Sequence, residues 1–84
     1  MSKKTLQAIA SRFREERLLV GFSQKALSDL TGKSRQQIIN YETGRCEMTA
    51  GFLASLHDLA FDVQYIVTGI RSVNFYEYDE TELI

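Results

Sequence analysis

At 84 residues the chain is long enough for one hydrophobic core and too short for two. With 44% hydrophobic residues, 25% charged residues and a formal net charge of −1, it lacks the low hydrophobicity or charge excess of a disordered chain. Cys46, the single cysteine, excludes an internal disulfide, and no apolar run approaches the roughly 18 residues of a membrane span. A reducing, cytoplasmic setting is expected, with neither a signal peptide nor membrane insertion.

The near-zero net charge hides a polarised distribution. From Met1 to Arg45 nine basic residues outnumber four acidic ones, whereas from Cys46 onward Arg71 alone faces seven acidic residues. A phosphate backbone would meet the front half.

The chain contains no proline, and glycines and short polar residues punctuate it. Leu6, Ile9, Ala10, Phe13, Arg17 and Val20 recur at three- and four-residue spacing, which predicts a helix from about Thr5 to Val20. Gly21 follows as a helix terminator. Ser23 is placed to cap a second helix, Gln24 to about Thr31, with Leu27 and Leu30 inward, and Gly32 supplies a tight turn. Ser34 then caps a third helix, and Gln37 three residues on completes a capping-box pattern. Ile38 and Tyr41 form its buried stripe, and Gly44 closes it.

Thr49 is a cap for a fourth helix carrying Phe52, Leu53, Leu56 and Leu59, in whose first turn Gly51 is a weakness of about 1 kcal/mol relative to alanine. Asp62 caps a short fifth helix with Val63, Ile66 and Val67 inward, ended by Gly69. From Ile70 the composition changes: Val73 to Tyr78 is rich in strand formers and the last residues are acidic. The expected architecture is all-α, five helices in a domain spanning residues 1–69, with a tail at 70–84 suited to a short β-strand.

Gln24 to Thr43 has the anatomy of a helix-turn-helix: a short helix, a glycine turn and a capped second helix within about twenty residues. Leu27 and the small Ser28 stand where the two helices must cross. Opposite the Ile38 and Tyr41 stripe lie Arg35, Gln36 and Asn40, near the helix N-terminus where recognition helices meet the groove. Arginine can donate a bidentate pair to guanine, and glutamine and asparagine can do so to adenine, each good pair discriminating by about 1–3 kcal/mol. Gln37 can also reach DNA, in competition with its capping role. Arg17 sits on the apolar face of its own helix and needs a partner there.

Arg17 through Gly69 resembles the Xre-like phage repressor and Cro family of helix-turn-helix regulators, which share a lambda-repressor-like fold. The resemblance is carried by Gly21-Phe-Ser-Gln-Lys-Ala-Leu, Gly32-Lys-Ser-Arg-Gln-Gln-Ile, Tyr41-Glu-Thr-Gly-Arg45 and Asp62-Val-Gln-Tyr-Ile-Val-Thr-Gly69. It implies that Gln24 contacts a DNA phosphate, that Ser34 and Arg45 touch the backbone, and that Arg35, Gln36 and Asn40 read bases; Gln37, from its place on the helix, is counted with the backbone contacts. It further implies that Arg17 and Glu42 form a structural ion pair. Several positions depart from the family pattern: Ser28 stands where alanine is usual, Thr31 where a larger aliphatic is, and Lys33 where valine is common. Glu16 occupies a frequent leucine position, and Ala60 one that is often glycine.

The other chemistry-bearing residues read as structural. Arg12 and Arg14 are surface charges on an amphipathic helix rather than phosphate contacts, and Lys3 and Lys4 belong to a frayed terminus or a basic arm. His57 has no second histidine or cysteine at metal spacing, and Cys46 is a lone loop thiol with no partner cysteine, so neither a metal nor a cofactor is expected. Tyr65, Ile66 and Val67 read as core. The tail has three destinations: pairing with its twin across a dimer through Val73, Phe75, Tyr76 and Tyr78, folding back over the helices, or no fixed structure.

These readings converge on a sequence-specific regulator of double-stranded DNA, of repressor type, acting as a homodimer on a pseudo-palindromic operator. Two alternatives remain at this level: an antitoxin that binds its toxin through the tail and autoregulates, and a helical protein-interaction module without DNA binding. No nucleophile-base signature or phosphate loop points to an enzyme.

Overall fold

The computed structural model describes residues 1–72, which form five helices and no strand. The expected strand and the dimer contacts assigned to Val73, Phe75, Tyr76 and Tyr78 lie outside the described residues.

Helix α1, Lys3–Val20, begins two residues earlier than its apolar pattern suggests, because the Ser2 hydroxyl accepts from the Thr5 amide at 3.0 Å. Lys3 and Lys4 are thereby part of the first turn, not a separate arm. Gly21 at φ 101° ends the helix, its N–H donating to the Arg17 carbonyl. Helices α2 (Gln24–Thr31), α3 (Arg35–Thr43), α4 (Ala50–Asp58) and α5 (Val63–Thr68) each open on the anticipated cap, Ser23, Ser34, Thr49 and Asp62. Each of those side chains accepts one amide hydrogen that the helix itself leaves unpaired.

Phe13, Leu27, Ile38, Tyr41, Phe52, Leu56, Phe61 and Ile66 form one buried core to which all five helices contribute. Its centre is aromatic: Phe13 meets Phe52 edge-on at 5.7 Å, Tyr41 lies 4.7 Å from Phe52, and Phe22 stacks on Phe61 at 6.1 Å. Helix α1 is the spine, packing on α3 along one side and on α5 along another.

Three residues expected inside are exposed. Leu30 lies on the last turn of α2, which ends at Gly32 before anything covers it. Val67 follows the buried Ile66, and a helix of six residues against α1 has a single inward stripe, so its neighbour turns about 100° away. Val20 sits at the end of α1, beyond the contacts with α3 and α5. Tyr65 is half-buried, not core, and Leu59 stands just outside α4 as its C-cap.

The less regular sequence positions carry the polar framework. Glu16, at the frequent leucine position, is only 2% exposed: one oxygen accepts the Asp62 amide at 3.0 Å and the other the Arg71 guanidinium at 2.6 Å. Arg71 lies 3.7 Å above the Tyr65 ring, whose hydroxyl donates to Glu15 at 2.6 Å. The bond to Glu16 raises the Arg71 pKa above the usual arginine value, and the bond to Glu15 raises that of the Tyr65 phenol. Arg12 donates to the carbonyls of Ile66 and Val67 at 2.9 and 3.2 Å, closing the C-terminal end of α5. Ala60 turns the chain between α4 and α5 at φ 71°, a conformation glycine would take without strain.

Candidate nucleic-acid interface

Helices α2 and α3 are joined by three residues, Gly32, Lys33 and Ser34, and the turn is fastened from both sides. Gly32 adopts φ 76°, with its N–H on the Ser28 carbonyl at 3.0 Å. The Ser28 hydroxyl crosses to the Lys33 carbonyl at 2.5 Å, and Thr31 bonds the Leu27 carbonyl at 2.7 Å. Both departures from the family pattern thus supply hydrogen bonds that an aliphatic residue there would not. Leu27 and Ile38, each 0% exposed, fix the crossing of the two helices from below.

Above them, α3 presents Arg35 and Gln36 exposed and Asn40 half-buried one turn on. The Gln36 amide donates to the Asn40 side-chain oxygen at 3.1 Å, so the two amides lie together on the outer face. Arg35 Nε reaches the Gln24 oxygen at 3.4 Å, and the Gln24 amide donates to Glu42 at 3.0 Å. Glu42 is in turn held by the Arg17 guanidinium through both carboxylate oxygens, and Arg17 also donates to the Phe22 carbonyl at 2.8 Å. With Arg17 6% and Glu42 9% exposed, this is a buried pair whose remaining hydrogen bonds are satisfied. One continuous chain of contacts runs from the spine helix to the side chain that opens α3.

The other candidates fall around this row. Ser34 is exposed and its hydroxyl serves as the cap of α3. Arg45 is exposed in the loop after α3, where its N–H donates to the Asn40 carbonyl at 3.0 Å. Gln37 corrects the capping-box expectation. Its backbone amide binds Ser34, but its side chain, instead of returning to the Ser34 N–H, donates to the Cys46 sulfur at 3.1 Å. The half-buried thiol supplies an acceptor that four-residue spacing rules do not reveal.

This arrangement is a helix-turn-helix with a polar recognition face on an apolar base. The helix-turn-helix family model matches residues 13–47, from the centre of α1 to the loop after α3. Residues 13–47 are a helix-turn-helix of the Xre-like type. No curated protein and no solved structure matches it. The fold around it is all-α and lambda-repressor-like, and the match supports DNA binding in transcription regulation. Among the described residues, no three His, Cys, Asp or Glu side chains converge as a metal set, and no helix is long and apolar enough to cross a membrane.

Residue-type reasoning gave the need of Arg17 for a partner and the resemblance named Glu42, which the structure pairs with it, but two links carry no such signal. The resemblance implies only a phosphate contact for Gln24, whereas its side chain bridges Glu42 and Arg35. Gln7 donates to the Thr43 carbonyl at 3.1 Å, tying the start of α1 to the end of α3. The Gln7 contact has no sequence signal, because its partner is a backbone atom.

Proposed function

We propose that this Xre-like protein is a sequence-specific repressor of phage or prophage type that binds a pseudo-palindromic operator in the cytoplasm as a homodimer. The carrying observation is the outer face of α3, where Arg35 and Gln36 are exposed and Asn40 half-buried, with Arg35 tied through Gln24 and Glu42 to Arg17 and Gln36 bonded to Asn40. A rigid polar row of this length suits the major groove. In this reading Arg35 takes guanine, Gln36 and Asn40 take adenine, and Gln24, Ser34, Gln37 and Arg45 position the backbone. Repression follows from occupancy of promoter DNA.

The test is selection of bound sequences from random duplex DNA by the full chain. The expected outcome is a two-fold-symmetric motif with half-sites about one helical turn apart. Enrichment of a single unsymmetrical half-site would remove the homodimer, and no enrichment would remove sequence-specific binding.

A further inference from the structure

We propose that Gln36 and Asn40 act as one composite reader of a single A·T base pair, Gln36 on adenine N7 and Asn40 across adenine N6 and thymine O4. The inference rests on the DNA-binding reading of α3 and deepens it, since the two side chains share one adenine. It starts from the bond between them. The Gln36 side-chain amide donates to the Asn40 side-chain oxygen at 3.1 Å, across the four-residue spacing that brings side chains together on one helix surface. Asn40 is the fixed member of the pair. Its near neighbours Ile38 and Tyr41 are buried in the core, and its own carbonyl accepts the N–H groups of Gly44 and Arg45 where α3 closes. Gln36 is exposed, and its longer side chain is steadied by the half-buried Asn40.

The bond sets what the pair has left to offer. A primary amide carries two N–H hydrogens and an oxygen with two lone pairs. Once Gln36 has given one hydrogen to Asn40, its nitrogen keeps one donor, the Asn40 oxygen keeps one lone pair and the Asn40 nitrogen keeps both hydrogens. Taken in order, Gln36 Nε2, Asn40 Oδ1 and Asn40 Nδ2 present donor, acceptor, donor. In the major groove an A·T pair presents the complement: an acceptor at adenine N7, a donor at adenine N6 and an acceptor at thymine O4. A G·C pair presents two acceptors on guanine and then the cytosine donor, which sets the central Asn40 oxygen against guanine O6. Two acceptors meeting in an interface both go unpaired, so rejection of G·C is built into the bonded pair. Because the bond exists before DNA arrives, Gln36 gives up less rotamer freedom on binding.

The experiment uses the full chain and the operator found by selection, with each base pair of the half-site exchanged in turn. Gln36→Ala and Asn40→Ala are each expected to lose about tenfold of the preference at the same A·T position. The double variant should lose less than about threefold more than either alone, whereas independent readers would multiply their losses. A second probe leaves the protein unaltered: a deazaadenine, in which C–H replaces N7, is placed at that position. It should weaken binding of the unsubstituted chain several-fold and leave binding by Gln36→Ala unchanged. A Gln36→Ala chain as sensitive to the deazaadenine as the unsubstituted one overturns the proposal. If the two variants relax different base pairs, the composite reader falls while base reading by α3 stands. If neither relaxes any position, or selection enriches no motif, both fall together.

Discussion

Ala60 shows how one backbone dihedral sets a local cost. At φ 71° its Cβ crowds the following carbonyl, a strain on the order of 1–2 kcal/mol for an L-residue, partly offset by the lower chain entropy of alanine when unfolded. Ala60→Gly should stabilise the domain by about 1 kcal/mol, read as a higher denaturant midpoint at unchanged slope. At the recognition face, Arg35→Ala and Asn40→Ala should each weaken operator binding by about 1–3 kcal/mol and relax base choice at one position. Unchanged operator affinity for Arg35→Ala would show that α3 is not the reading helix.

At the level of helices, buried charges decide how the elements are held. Glu42 joins α1, α2 and α3 by accepting from Arg17 and Gln24 while almost wholly out of solvent. Glu42→Ala leaves the Arg17 guanidinium buried without its counter-ion, for an expected loss of about 3–5 kcal/mol in equilibrium unfolding. The Glu16–Arg71 contact between α1 and the chain after α5 is half open to solvent on the arginine side, so its loss should matter less. Arg71→Ala is expected to cost about 2 kcal/mol, since the Glu16 carboxylate keeps the Asp62 amide but loses its cation. Adding Glu16→Leu should recover part of that loss, because it removes the buried charge while leaving the Asp62 amide without its acceptor. A double variant as unstable as Arg71→Ala alone would locate the effect elsewhere, in the Tyr65 stacking.

Over the whole molecule the charge separation governs how it meets DNA. The basic residues around α1 to α3 and the acidic ones from Cys46 onward give the chain a direction that its net charge of −1 conceals. Binding should therefore weaken steeply with added salt, even though the protein is formally acidic. Arg45→Ala should reduce affinity for all sequences alike and lower the slope of log K against log salt by about one. A variant that loses specific affinity alone would mean that Arg45 reads a base.

The amino-acid order alone determined the helices and their ends, because capping by Ser23, Ser34, Thr49 and Asp62 is a local interaction within a few residues. It also determined the helix-turn-helix, the polar outer row of α3 and the need of Arg17 for a partner, since spacing and residue type carry those features. Tertiary packing decided which side chains were covered and where long polar ones ended. Leu30, Val67 and Val20 face solvent although their spacing pointed inward, because burial depends on what lies opposite. Glu16 is buried, Arg12 caps α5 and Gln37 finds Cys46, each through a partner distant along the chain or outside any repeating pattern. Periodicity describes one helix at a time, whereas the partner of a flexible polar side chain is set by whichever donor or acceptor the folded chain brings within reach.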